Sequence, residues 1–154
     1  MLKTIESFAV ECSINKVWTS EALAYAVDEA VQVFGGNGYS REFPVERAYR
    51  DARITRIYEG TNEINRLIIA GRLLRNAGAL LDPVDASSDA SPFGPDRALV
   101  GRPKPFAVAA LNAMSQVYGQ AAREEQEILA HISNIVIEIY AVESAIARAE
   151  KLGR

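Results

Sequence analysis

The sequence predicts an all-α fold. Hydrophobic residues recur at three- and four-residue steps through most of the chain, and no run alternates apolar and polar residues as a half-buried strand does. Five of the six prolines fall between Gly78 and Pro105, so the segments on either side are free to stay helical.

From Leu2 to about Asn15, the residues Leu2, Ile5, Phe8, Ala9 and Cys12 mark one buried helical face. A second helix is expected to open at Thr19 or Ser20, whose hydroxyl can cap free N–H groups, with Glu21 in its first turn. Leu23, Ala26, Val27, Ala30, Val31 and Phe34 form its apolar side, and Gly35, Gly36 and Gly38 end it. Pro44 is placed to begin a short third helix. After "YEG", Ile64, Leu67, Ile68 and Leu74 predict a helix over about 62–75.

Residues 78–105 read as a proline-rich linker without apolar periodicity. Phe106 to about Lys151 then predicts a long helix or a helical hairpin, with Gly119 as its weak point. Within it Ile128, Ile132, Ile135, Ile139, Val142 and Ile146 make an apolar seam for a partner helix. Leu129, Val136 and Tyr140 widen that seam toward packing in a bundle. Tyr25, Tyr39, Tyr49, Tyr58 and Trp18 are assigned to packing rather than to a stacking cage. The expected divisions are 1–77, a helical-bundle segment; 78–105, the linker; and 106–154, the start of a further helical region.

A chain of 154 residues, 49% hydrophobic, suits one domain of ordinary size. Seventeen basic against 20 acidic side chains give a net charge of −3, which provides no drive toward nucleic acid. The single cysteine, Cys12, excludes an intrachain disulfide and a cysteine-based metal cage, and the lone His131 is assigned to the helix surface, so no metal site is expected. No apolar run approaches the roughly 18 residues of a membrane span, so no transmembrane segment and a cytoplasmic setting are expected. Met1 begins inside an amphipathic pattern, and the chain stops just after a seam that needs a companion. Two expectations follow: self-association, and membership of a longer protein.

Glu59, between Tyr58 and Gly60 just before a helix, is open to two readings when taken alone. A glutamate near a helix N-terminus gains about 0.3–1 kcal/mol from the dipole without any chemistry. "GGNG" is equally weak, since it lacks the spacing of a phosphate loop.

The combination is more specific. "QVFGGNGYSREFPVERAYRDARITRIYEGTNEINRLIIAGRLL", residues 32 to 74, resembles the C-terminal signature of the flavin-dependent acyl-CoA dehydrogenases. "EEQEILAHISNIVIEIYAVESAIARAEK" resembles the extra helical region of the very-long-chain and related bacterial branch. The resemblance implies the later helices of a C-terminal four-helix bundle, followed by the beginning of that extra region. It also implies α,β-desaturation of fatty acyl-CoA thioesters in fatty-acid β-oxidation, with FAD as cofactor and an electron-transferring flavoprotein as acceptor. In the family a proton leaves the α-carbon as a hydride passes from the β-carbon to the flavin. Glu59 matches the catalytic base, and its backbone N–H a donor to the thioester oxygen. Gly60 matches the glycine that leaves room for acyl-CoA. Thr61 and Glu63 match flavin contacts at a helix start, although some branches carry glutamine at the latter position. Gln32, Val33, Phe34, Gly35 and Gly36 match the segment that touches the adenosine-diphosphate end of a neighbouring subunit's flavin. Because the family's β-domain has no counterpart in the sequence, the chain alone is expected neither to retain FAD nor to turn over. The competing readings are a catalytically silent helical assembly module and another flavoenzyme of the superfamily, such as an acyl-CoA oxidase.

Overall fold

The computed structural model describes residues 7–76, 80–82 and 91–153. Leu2 and Ile5 of the expected first helix lie outside these residues, as do 78–79 and 83–90 of the expected linker. Among the described residues there are helices and turns and no strand. The chain divides into two compact units, Met1–Asn65 and Arg66–Arg154, with the boundary inside a helix.

In the first unit α1 runs unbroken over Ala9–Phe34, where two helices had been expected. Thr19 and Ser20 are not caps. Their hydroxyls donate back to the carbonyls of Asn15 (2.6 Å) and Val17 (3.0 Å), the mid-helix alternative open to short hydroxyl side chains. With no glycine or proline between residues 9 and 34, nothing interrupts the ladder. Ser13, Ile14, Val17 and Ser20 are its buried positions. Its second half departs from expectation: of the expected apolar side, Leu23, Ala26 and Phe34 are exposed.

Gly35, at φ 58, ends α1 with its N–H on the carbonyl of Gln32. A 3-10 turn over Gly35–Tyr39 follows, and within it the buried Gly38 leaves no room for a side chain, since a Cβ there would lie 2.8 Å from the carbonyl oxygen of Val31. The ring of Phe34 meets that of Phe43 edge-on at 6.0 Å. As expected, Pro44 opens α2, Pro44–Ile54, which buries Val45 and Ala52. Arg50 pairs with Glu46 and Arg47 with Asp51 on its solvated face.

The next helix, α3, spans Asn62–Leu73 and carries the boundary between the units. Its buried apolar residues Ile69, Ala70 and Leu73 differ from the expected stripe, of which Ile64 and Ile68 are exposed.

The second unit corrects the reading of 78–105 as a linker. Residues Gly94–Gly101 form α4, and α5 begins at Pro103 and continues to Tyr118. Pro95 and Pro103 stand in the first turns of these helices, where a missing N–H breaks no hydrogen bond, so they start helices instead of preventing them. Lys104 is 2% exposed; its ammonium donates to Glu143 at 2.7 Å and to the carbonyl of Asp82 at 3.3 Å. Ser91 and Arg97 both bond Glu150. These contacts tie Ser91 and the first turns of α4 and α5 to the last helix.

Of the two expected forms, the hairpin is found. Gly119, at φ 55, ends α5, a 3-10 turn covers Gly119–Arg123, and α6 runs over Gln126–Leu152. Its buried stripe is Leu129, Ile132, Ser133, Val136, Ile137, Ile139 and Ile146. Ile128 and Val142, both assigned to the seam, are 36% and 43% exposed. A strict seven-residue repeat drifts by about 20° per heptad around a straight helix. The partner is also supplied within the unit. Helices α4 and α5 pack on α6, and the Ser133 hydroxyl donates to the carbonyl of Arg66 at 2.6 Å. The seam therefore no longer argues for a second copy. By length and composition alone α6 could also cross a membrane, contrary to expectation, although a core helix passes the same test and this one buries a stripe.

The two assignments of the seam separate by mutation. Ile139→Ala is expected to destabilise the second unit by about 2–5 kcal/mol through the cavity it opens. Ile128→Ala should cost well under about 1 kcal/mol, as exposed substitutions do. Urea denaturation of both variants, followed by circular dichroism, measures the difference.

Candidate functional site

Between α2 and α3 the backbone turns through Glu59 and Gly60. Glu59, at φ 53, is the one non-glycine residue with positive φ among those described, and Gly60 follows at φ 86. A left-handed conformation costs a side-chain-bearing residue roughly 1–2 kcal/mol. What holds it there lies just downstream. Thr61 caps α3, its hydroxyl oxygen accepting the N–H of Ile64 at 3.2 Å. The Asn65 side-chain amide donates to the carbonyls of Gly60 (2.8 Å) and Thr61 (3.0 Å). The N–H of Asn62 reaches back to the carbonyl of Arg56 at 3.1 Å and closes the loop.

Asn62 is 1% exposed, and both ends of its amide are occupied. The oxygen accepts from the Lys16 ammonium at 2.6 Å and lies 3.3 Å from the Ser20 hydroxyl. The nitrogen donates to Ser20 at 2.9 Å and to a carboxylate oxygen of Glu21 at 3.0 Å. All three partners belong to α1. Neither Asn62 nor Asn65 was singled out from the sequence. Two asparagines in the first turn and a half of a helix, where asparagine is otherwise a poor helix former, were the available signal.

The turn presents its functional groups outward. Glu59 and Gly60 are exposed, and Tyr58 is half exposed. Among the described residues the N–H groups of Glu59 and Gly60 donate to no protein acceptor. Two free donors and a carboxylate thus stand together at the positive end of α3. Gly60 is required locally, because its φ is strained for other residues and a Cβ would sit 3.2 Å from the Asn65 amide nitrogen. Glu63 is exposed on the first turn of α3.

Gln32, Val33, Phe34, Gly35 and Gly36 are placed elsewhere. They form the exposed end of α1 and the start of the 3-10 turn, and a Cβ on Gly35 or Gly36 would meet no atom within 4 Å. The turn at Glu59 is tied to α1 at Lys16, Ser20 and Glu21, so from Ser20 to Gln32 the two groups are separated by about 18 Å of helix. The structure therefore unites Glu59, Gly60, Thr61 and Glu63, and keeps the second set apart.

Two grooves lie between α1 and α2. One, of about 380 Å³, is bordered by Glu21, Tyr25, Asp28, Tyr49, Arg53 and Arg56. The other, of about 470 Å³, is more apolar, with Val31, Tyr39, Tyr49, Ile54 and Ile57 on its walls. Neither includes Glu59, which stands on open surface.

Comparison with known proteins agrees with the motif. Two family profiles, each described as the acyl-CoA dehydrogenase C-terminal domain, match residues 1–74 and 104–154. A probable acyl-CoA dehydrogenase of Bacillus subtilis is 44% identical over 97% of this chain, which spans 28% of that protein. The human mitochondrial short-chain specific acyl-CoA dehydrogenase is 55% identical over 45% of this chain and 17% of its own length. The crystal structure of an acyl-CoA dehydrogenase complexed with FAD from Bacillus anthracis superimposes with a TM-score of 0.79 at 43% identity, over 92% of this chain and 26% of that one.

The turn's local requirements can be measured without any ligand. Thr61→Ala should lower stability by about 0.5–2 kcal/mol through loss of the cap. Gly60→Ala should lower it by about 1–2 kcal/mol through its positive φ. Equal stability of the Gly60→Ala variant and the parent in thermal denaturation would show that the glycine answers to no local strain.

Proposed function

Because the chain belongs to the acyl-CoA dehydrogenase family, as its C-terminal part, we propose that it supplies the base for α,β-desaturation of an acyl-CoA thioester. The observation that carries this reading is the turn at Glu59, where an exposed carboxylate and two unused N–H donors share the N-terminus of α3. The chain spans about a quarter of the relatives it matches over most of its length.

The chemistry asks for two things of one place. A proton on the carbon next to a thioester carbonyl is removed only if the resulting negative charge on oxygen is stabilised as it forms. The Glu59 N–H, free of protein acceptors, is the donor assigned to that oxygen, and the α3 dipole acts in the same direction. The Glu59 carboxylate takes the proton. The left-handed turn lifts its side chain off the helix side and leaves its own N–H unused, so one residue can provide both groups. A carboxylate in water is a weak base toward carbon, so in this proposal the substrate and the remaining parts of the enzyme exclude water from Glu59.

FAD, when bound, supplies the hydride acceptor. The exposed backbone at Gly35 and Gly36, with Gln32, Val33 and Phe34 also exposed, fits a surface that a cofactor's adenosine-diphosphate end could approach closely. Thr61 still has a hydroxyl proton to donate after accepting from Ile64, and Glu63 is exposed beside it. The separation of the two sets along α1 suits contacts to different flavins, as expected if Gln32–Gly36 serves a neighbouring subunit. Acyl-CoA as substrate, an electron-transferring flavoprotein as acceptor and assembly with further copies all belong to this proposal.

In a chimaera joining this chain to the preceding domains of its Bacillus subtilis relative, Glu59→Gln should cut turnover by at least about 10²–10⁴-fold. Flavin content should not change. Near-normal turnover in a steady-state assay would remove Glu59 from the role of base. The chain purified alone should show no flavin absorption, because its surfaces supply only one side of a site and must still meet the entropic cost of binding.

A further inference from the structure

We propose that Asn62 is a positioning residue for Glu59, acting as a neutral bridge between Lys16 and Glu21 that seats the first turn of α3 on α1. The proposal rests on the reading of Glu59 as the base, and it extends that reading to three residues of a different helix.

Asn62 follows the hinge by three residues and touches neither the carboxylate nor the free N–H groups. Its influence runs through the backbone. Its own N–H holds the carbonyl of Arg56, three residues before Glu59, while its side chain is held by α1. One residue thus closes the loop from Arg56 to Asn62 and moors it. Thr61 and Asn65, on either side, bond the same loop from within α3. Glu59 cannot relax from φ 53 into the ordinary helical region while both ends are held, because the loop would have to lengthen or the Asn62 amide leave its partners.

The chemistry specifies an amide at this position. Lys16 offers only donors and Glu21, ionised, only acceptors. A side chain lying between them and buried to 99% must therefore accept at one end and donate at the other. Ser20 completes the set. Its oxygen accepts from the Asn62 nitrogen, and its single proton goes either to the Val17 carbonyl at 3.0 Å or to the Asn62 oxygen at 3.3 Å. Aspartate at the same position would accept from Lys16 but face Glu21 with a second carboxylate. Converting Glu21 to glutamine at the same time restores a donor facing an acceptor with the direction of that hydrogen bond reversed, and the Ser20 hydroxyl turns its proton from the Val17 carbonyl to the new carboxylate oxygen.

That reversal is the test, made on the full 154-residue chain by amide hydrogen exchange. Asn62→Asp should accelerate exchange of the Ile64 and Asn65 amides by about tenfold or more, the effect of unsatisfying a buried polar pair, with α5 and α6 unchanged. The double variant Asn62→Asp/Glu21→Gln should return most of that protection. Lys16→Met, a milder change at the rim of the network, should produce an intermediate acceleration and keeps the test valid if Asn62→Asp does not fold. Unchanged exchange in Lys16→Met, or no recovery in a folded double variant, would overturn the proposal. In the chimaera, Asn62→Asp should lower kcat several-fold at unchanged KM and flavin content, and the double variant should recover it. A purely structural role would leave kcat per folded, flavin-loaded enzyme unaltered, which would also overturn the proposal. If Glu59→Gln proves fully active, the reading of the base fails, while the exchange data still decide whether Asn62 holds the turn.

Discussion

A buried amide between two helices is the constraint on which the candidate site depends. The side chain of Asn62 is enclosed by Lys16, Ser20 and Glu21 of α1, and every polar group it presents has a partner. Burying an amide without such partners is costly, so the network is favourable only in one arrangement of the helix start against α1. An apolar contact would tolerate sliding. This one fixes a register, and the left-handed turn at Glu59 and Gly60 is built on it.

Burial around that anchor is uneven. Ile14 and Val17 of α1 are fully covered close to Ser20, whereas Tyr25, Val33 and Phe34 farther along the same helix stand exposed, as does Tyr39 at 79%. An exposed band of aromatic and branched residues of this kind marks surface made for further contacts. Val33 and Phe34 of this band belong to Gln32–Gly36, and Tyr39 lines the more apolar groove between α1 and α2. The second unit is organised differently: α4, α5 and α6 cover one another, and the buried Lys104 of α5 is paired with the partly exposed Glu143 of α6. Removing Glu143 would leave the Lys104 charge buried without its counter-ion, which makes the geometry of the pair specific even where its net contribution to stability is small.

Several local features could be read directly from residue types. Pro44 starts α2 and Gly35 ends α1, because each acts through its own backbone geometry. Gly119 likewise divides the long C-terminal helical stretch into a hairpin. Other residue types serve two purposes. Thr19 and Ser20 can cap a helix or bond back within one, and only the continuity of α1 chooses. Pro95 and Pro103 can interrupt a chain or open a helix, and the choice here depends on packing against α6. The seam was displaced for a related reason: a row of isoleucines at heptad spacing says that a face is apolar, but the neighbouring helices decide which part of a broad face is covered.

The sequence by itself determined the helical class, the family, and Glu59 as the residue to examine, since each rests on residue identity and on short-range spacing that no packing can alter. Only the tertiary structure decided that Glu59 takes a left-handed conformation with its N–H unused, that Gly60 is required by that turn, and that Asn62 holds both through residues more than 40 positions away. Those properties come from hydrogen bonds between segments distant in the chain. Such bonds form only after the chain has brought α1 beside α3, and nothing in the local pattern of either helix names the other as its partner.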